Sequence, residues 1–484
     1  MPIIIPANSA VAGGFDVANS IRLDNNAYLN RTFSETGAGA GGGTFKWTLS
    51  LWFKRSALTD EHVIMSRYVN SGKYVVIKIN GNNKLEYRVY NGGDQARYTM
   101  TAVLRDSSAW MHFVIAQDST LSTAGDRVKF FINGSRVTAF DTQTIIGQNV
   151  GGDFNTASPH QIGAFNGGDE FQGYMSQICF VDNVQYDADK FGEFDEDSGI
   201  WTPIDVSDLS TGATSFLLVF KDSSALGTDS SGDNNNFSVN NITAIDQVTD
   251  TCTNNFATGN PLDNFYANAV FAEGNTKITT NSSAEAMNTG TIALSGGRWY
   301  YEIDIIDRGS TAQVGFTPHG SRVLSGVSGK AGDVTPFTQA YMNTGKVQTG
   351  NGSGGQTDLA TLSSYTTGNI IGVYLDLVDF KSYWSKDGVL QNSGTGLNIT
   401  ALNANSHGVG GGTGVYIPYV GDNSSGTPAV FELNFGNPFQ SQSSSVTDDN
   451  GFGKFEYSPN ITGDGTAKSF FAICTKNLAS TGGE

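Results

Sequence analysis

The strongest constraint on this chain is a period of two. Trp47, Leu49, Leu51 and Phe53 alternate with Thr48, Ser50, Trp52 and Lys54, and helical spacing is scarce throughout. Successive side chains of a strand point to opposite faces, so this run predicts a strand with one wholly apolar face. Tyr74–Ile79 (YVVIKI) passes through NGNN into Lys84–Tyr90 (KLEYRVY), a hairpin whose Asn80 and Gly81 accept positive φ. Trp110–Ala116, Val128–Ile132 and Tyr174–Val181 continue the pattern, and Asn133-Gly134 supplies another turn. A polar stretch, Asp222–Asn241, follows. A second block then reads as strands at Gly296–Ile306, Ala312–Phe316, Gly368–Leu377, Ser382–Leu390, Val415–Val420 and Ala429–Phe435, with Asp387-Gly388 turning a hairpin. Ser321–Tyr365 and Gln391–Gly414 read as long loops, and Ala188–Phe194 as a helical turn. Many short strands between turn residues predict an all-β chain: two β-sandwich, jelly-roll-like domains joined by a loop-rich linker. The expected divisions are a docking arm over 1–14, sandwiches over 15–205 and 266–440, a linker over 206–265, and a C-terminal segment over 441–484.

Composition narrows the function. With 28 Lys plus Arg against 46 Asp plus Glu, the net charge is −18, which repels phosphate and argues against nucleic acid as a partner. Cys179, Cys252 and Cys474 are odd in number and far apart, which speaks against a disulfide framework or a structural zinc site. The N-terminal MPIIIP has no basic flank and too short an apolar run for a secretory signal, and no stretch reaches the ~20 apolar residues of a membrane span. The expectation is a soluble, non-secreted chain without membrane insertion, folded in a reducing cytoplasm.

Two family resemblances enter here. Residues 15–205 resemble a concanavalin A-like, laminin-G-type jelly roll, carried in order by FKWTLSLWFKRS, WMHFVIAQDS, DRVKFFINGSRV and FQGYMSQICFVDNVQYDADKFGEFDEDSGIWTP. Residues 266–440 resemble a SPRY domain through GRWYYEIDI, VGFTP, GNIIGVYLDL, KSYWSKDGVL and YIPYV…FELNFG. The layout, with FLLVFKDSSALGTDSSGDNNNFSVNN between the modules, resembles bacteriophage tail-fibre and virion appendage proteins. That resemblance implies a virion-surface protein that binds a host surface glycan or protein. It implies a homo-oligomer, expected as a trimer, docked to other virion proteins through its N-terminal arm. A capsid decoration or cement protein is the alternative within the same setting.

Candidate chemistry is sparse. Glu302 and Asp304 fall on one face of a strand and approach the carboxylate pattern of jelly-roll glycanases, with Asp307 where a Glu is expected. The same residues fit an ordinary core strand through Tyr301, Ile303 and Ile305, so the expectation is no enzyme, with a Glu302/Asp304 glycan hydrolase as the second alternative. None of His62, His112, His160, His319 and His407 sits in a nucleophile motif, and Cys179 lies in an apolar strand. Gly39–Gly43 lacks the Lys-Ser/Thr of a phosphate loop. No motif demands a cofactor. Calcium is the one candidate, since jelly rolls of this type use oxygen ligands in loops and Asp229, Asp233 and Asn235 form the densest such loop. Tyr383 and Trp384, flanking a hairpin, are the expected ligand platform, with Tyr416 and Tyr419 on a nearby strand. The SPRY resemblance adds His319, Arg322 and Phe337 as a loop contact surface.

Overall fold

A computed structural model describes residues 14–24, 26–34, 45–152, 154–209, 212–265, 269–281, 286–318, 338–350, 356–399, 414–422 and 426–481. The chain is almost entirely β, and two compact units meet in sequence at Thr253/Asn254.

The first unit is a sandwich of two antiparallel sheets, each of eight strands among the described residues. One sheet runs Ser135–Arg136, Val128–Ile132, Met111–Asp118, Lys46–Arg55, Gly173–Asp182, Ser20–Leu23 and Gln247–Val248, with Phe216–Leu218 also paired to Gly173–Asp182. The facing sheet runs Phe140–Thr144, Asp94–Met100, Leu85–Asn91, Lys73–Ile79, His62–Asn70, Pro159–Ile162, Tyr28–Thr32 and Ser238–Asn240. Alternation sets the core as the sequence predicts. Trp47, Leu49, Leu51 and Phe53 meet Val75, Ile77, Ile79, Leu85, Tyr87 and Val89 between the sheets. Gly173 is needed where its strand crosses Lys46–Arg55: at φ 139° a Cβ would lie 2.1 Å from the Lys54 carbonyl oxygen.

Three expectations are corrected in this unit. Residues 206–253 are no linker: their three strands complete both sheets, and Lys54 forms a buried ion pair with Asp250, whose other oxygen accepts the Trp110 indole N–H at 2.9 Å. Polar composition hid them because the short strands use backbone pairing and side-chain caps. The Ala188–Phe194 helical turn is a 3-10 turn, Ala188–Lys190, followed by a strand, Gly192–Phe194. In the Asn80–Lys84 turn the positive φ falls on Asn83 (60°), with neither Asn80 nor Gly81 in that region.

The second unit, Asn254–Glu484, is also a sandwich. Among the described residues seven strands form one sheet: Gly259–Phe265, Ala286–Gly290, Tyr416–Asp422, Ala312–Pro318, Gln339–Met342, Lys346–Gly350 and Gln356–Thr361. The facing sheet has nine among the described residues and centres on Val430–Asn434, Arg298–Asp307, Ile370–Asp376 and Lys381–Lys386. The stretch expected as a loop over 321–365 thus contains three strands. The Asp387-Gly388 hairpin forms as expected, with φ 50° and 75°. The segment 441–474 packs Phe455, Phe470, Ala472 and Cys474 on the outside of the nine-stranded sheet, and Phe471–Ala472 pairs in parallel with Arg298–Asp307. A short helix, Thr475–Thr481, ends the described chain.

Candidate functional site

The outer face of the Tyr74 sheet holds the candidate site. Val75, Ile77 and Ile79 turn inward, so Tyr74, Val76 and Lys78 turn outward; on the next strand Arg88 and Tyr90 do the same. Register places Tyr68, Tyr74 and Tyr90 directly opposite one another across three adjacent strands. Tyr74 stacks on Tyr90 at 5.1 Å between centroids, with 18° between planes. A tight turn adds a fourth ring. Asn166 (φ 53°) and Gly167 (φ 76°) reverse the chain between Phe165 and Gly168, as a two-residue hairpin turn requires. The turn lays Phe165 edge-on to Tyr68 at 5.3 Å and to Tyr74 at 5.2 Å.

Tyr68, Tyr74 and Phe165 border an open cleft of about 320 Å³, completed by Glu61, Val63, Ser71, Val76, Lys78, Arg88, Asn166 and Asp169. Each of its two cations is paired. Lys78 donates to Glu61 at 2.5 Å, and Arg88 Nε to Asp94 at 2.6 Å. The Arg88 guanidinium lies 4.8 Å from the Tyr90 centroid and 5.7 Å from that of Tyr74, which fixes its plane beside the rings. Flat apolar ring faces beside fixed donors and acceptors suit a ligand that is apolar on one face and rich in hydroxyls at its edge. Sequence reasoning missed this site. The available signal was a tyrosine on the outward phase of each of two adjacent strands, YVVIKI and LEYRVY.

The predicted platform lies elsewhere and is closed. Tyr383 and Trp384 are each only 2% exposed. Trp384 points into the second core, 5.6 Å from Tyr341, and its indole N–H donates to Ser382. Tyr383 points the other way, under the C-terminal segment, where its hydroxyl donates to Asp464 at 2.9 Å. A ligand cannot stack on either ring. Tyr416 and Tyr419 are likewise buried. His319, Arg322 and Phe337 lie outside the described residues.

The Asp229 loop is a self-capped turn. Asp229 Oδ1 accepts the N–H groups of Leu217 and Ser231, both at 2.9 Å; Oδ2 accepts the Asn235 N–H and the Ser231 hydroxyl, both at 2.8 Å. Asn235 Oδ1 accepts from Arg31 at 2.6 Å, and Asp233 accepts the Gly212 N–H at 3.2 Å. Four donors already occupy the Asp229 carboxylate and a guanidinium faces Asn235 Oδ1, which leaves the exposed Asp233 as the one of the three whose oxygens are not filled by protein donors.

Glu302 is 1% exposed. Its oxygens accept from the Tyr300 hydroxyl (2.9 Å), Asn434 Nδ2 (3.0 Å) and the backbone N–H groups of Glu456 (2.9 Å) and Tyr457 (2.7 Å). It therefore pins the C-terminal segment to the sheet. Burial pushes its carboxyl up to about 7 against the pull of those donors, and burial with Asp387 and Glu456 nearby pushes Asp304 up to about 6. Asp304 lies on the same strand face, half-buried, while Glu302 is sealed beneath 456–457.

One pair in the first unit has the atoms of a nucleophile and base but the wrong proton. His112 Nδ1 accepts the Trp201 indole N–H at 3.0 Å, which puts the imidazole proton on Nε2, 2.8 Å from Ser50 Oγ. That nitrogen donates to the serine and cannot take its proton. Burial holds His112 down to about 3, so the ring is neutral near pH 7.

Residues 32–185 match the family described as the concanavalin A-like lectin/glucanases superfamily. No curated protein matches the chain. Among solved structures it is similar to the SPRY domain of human HERC1, at 16% identity over 36% of this chain and 96% of that one (TM-score 0.28). It is also similar to a heptameric SAP-like pentraxin from Limulus polyphemus, at 13% over 36% and 80% (TM-score 0.26). A Bacteroides ovatus protein with a proposed carbohydrate-binding role matches at 17% over 47% and 60% (TM-score 0.34). The family match falls within the first unit, whose residues 32–185 are similar to the laminin G type of concanavalin A-like lectin/glucanase domain.

Proposed function

We propose that the chain is a non-catalytic carbohydrate-binding protein, with the Tyr68–Tyr74–Phe165 cleft of the first sandwich as its binding site. The observation that carries this reading is the juxtaposition of those rings with the Glu61–Lys78 pair and with Arg88, itself held by Asp94, in one open cleft. A sugar ring lies against Tyr74 or Phe165, and its hydroxyls exchange hydrogen bonds with the paired charges, which offer donor and acceptor side by side. The lectin/glucanase superfamily match supports a saccharide ligand. The sealing of Glu302 supports binding without hydrolysis, since a general acid or nucleophile has to reach the glycosidic bond.

The sequence resemblance supports a virion-surface setting for this binding, as a tail fibre or surface appendage that recognises a host glycan. Weak single-site affinity suits repeated copies, where avidity multiplies it. Titration of neutral oligosaccharides by calorimetry tests the proposal. Tyr74→Ala is expected to weaken binding at least tenfold while the melting temperature moves little, because Tyr74 is half-exposed. Wild-type affinity in Tyr74→Ala would remove the cleft from consideration.

A further inference from the structure

Resting on the carbohydrate reading, we infer that the binding surface extends along the same sheet into a second subsite for one anionic group, so that the preferred ligand is an oligosaccharide bearing a single carboxylate or sulfate. A second cleft, of about 660 Å³, opens on this outer face around the Asn80–Lys84 turn, with Glu86, Arg97, Thr99, Arg105 and Asp141 among its walls. The two clefts adjoin. Lys78 lines the first and lies directly opposite Glu86 of the second; Arg88 lines the first and lies opposite Arg97 of the second. Cross-strand neighbours sit about 5 Å apart, so nothing separates the two sites but these side chains. Along the strand, Tyr74 to Asn80 is a rise of roughly 20 Å, longer than one sugar ring.

The chemistry changes along that path, from aromatic to cationic. Lys84, Arg97 and Arg105 face two carboxylates, Glu86 and Asp141. Lys84 pairs with Asp141, and Arg97 with Glu86 at 3.1 Å, which Thr99 also holds at 3.0 Å. Arg105 is exposed and has no hydrogen bond or ion pair among the described residues. Behind the cleft lies a second positive charge without a counter-ion among the described residues. Arg55 is fully buried; its Nη1 donates to Asn83 Oδ1 at 2.8 Å and to the Leu104 carbonyl at 2.6 Å, while Nε and Nη2 have no partner. A buried guanidinium with no carboxylate is costly to keep, and it raises the potential in a cleft whose wall, Asn83, it holds in place. Arg105 supplies the contact, and Arg55 is a positioning residue. The local excess is small, which fits one anionic substituent and not a polyanion, in keeping with the −18 of the whole chain.

The test measures affinity of the full chain for three probes: xylohexaose, the same hexaose with one glucuronic acid branch, and the same hexaose with one sulfate. The singly charged forms are expected to bind about tenfold tighter than the neutral one. Arg105→Ala should remove that preference and leave xylohexaose affinity and the melting temperature unchanged. Raising salt from 0.05 to about 0.5 M should erode the preference in the same way. A gain for only one charged form assigns the group as carboxylate or as sulfate and supports the inference. Equal affinity for all three probes, or an Arg105→Ala loss that falls equally on neutral and charged probes, would overturn it while leaving the aromatic cleft intact. Binding of none of the three overturns both readings.

Discussion

Each sandwich sets a row of three tyrosines across adjacent strands on the outer face of one sheet. In the first unit the row is Tyr68, Tyr74 and Tyr90; in the second it is Tyr300, Tyr374 and Tyr383. The neighbours decide what each row does. The second row lies under Phe455 and Phe470, with Tyr300 4.9 Å from Phe455 and Tyr374 5.2 Å from Phe470, and all three rings are buried. The first row receives the edge of Phe165 and the Arg88 guanidinium and stays half-open to solvent. The same pattern thus makes a packed third layer in one unit and a surface for ligand in the other. The buried titratable groups differ as well. In the first unit burial holds the imidazoles of His62, His112 and His160 low; in the second it pushes the carboxyl of Glu302 up.

The largest expected effect separates the units by acid. Burial holds His112 and His160 down to about 3 and, with Arg55 nearby, His62 down to about 4. The unfolded chain takes up these protons near pH ~6.5, so the stability they represent is complete above that pH and is lost as pH falls toward 3. Each imidazole contributes roughly 3 kcal/mol or more at about 1.4 kcal/mol per pH unit. The melting temperature of the first unit should fall steeply from pH 7 to 4, by less in His112→Gln. A flat profile would show that these rings are not buried neutral.

Next comes truncation of matched tyrosines. Tyr374→Ala should cost the second unit about 3–5 kcal/mol, as for other buried aromatics, and loosen the 441–474 segment to proteolysis. Tyr74→Ala should cost the first unit under about 1.5 kcal/mol and fall instead on ligand affinity. Similar costs at both sites would erase the distinction drawn between the rows.

The carboxyl of the covered face titrates in the opposite sense to the histidines. Glu302 keeps its proton to about 7 in the folded unit. Its contribution is complete below the ~4.5 of a free glutamate and is lost as pH rises through 7, a loss of about 3 kcal/mol. The second unit should therefore melt lower at pH 8 than at pH 5. Glu302→Gln should flatten that slope while lowering stability overall, because its amide N–H₂ faces two donors where an oxygen accepted both.

Alternation made the sandwiches legible, and it worked wherever one face of a strand met the core and the other met water. It failed where both faces are covered. KSYWSK gives no sign that Tyr383 faces a third layer and Trp384 the core, so the pair reads as an exposed platform. The segments that close each unit were illegible for a related reason. Residues 206–253 and 441–474 are held by polar side chains aimed at backbone groups, and a sequence rich in Asp, Asn and Ser looks the same whether those groups cap their own turns or face solvent. The tyrosine row of the binding cleft was legible in principle, because the core phase of YVVIKI and LEYRVY leaves the tyrosines outside.

The smallest effect tests whether the closing segments of the two units work alike. In the second unit one carboxyl, Glu302, gathers donors from the segment it pins. In the first, Asp229 gathers Leu217, Ser231 and Asn235, joining the segment's own turn to its paired strand Phe216–Leu218. If hydrogen bonds alone hold this turn, Asp229→Asn should cost about 1–2 kcal/mol, since one acceptor becomes a donor facing donors. Neither EDTA nor millimolar Ca²⁺ should move the melting temperature of wild-type protein by as much as 1 °C, because only an ion that binds the folded state better than the unfolded one adds stability. A Ca²⁺-dependent rise of several degrees that vanished in Asp229→Asn would show instead that the loop reorganises around a cation. The two closing segments would then be held by different chemistry.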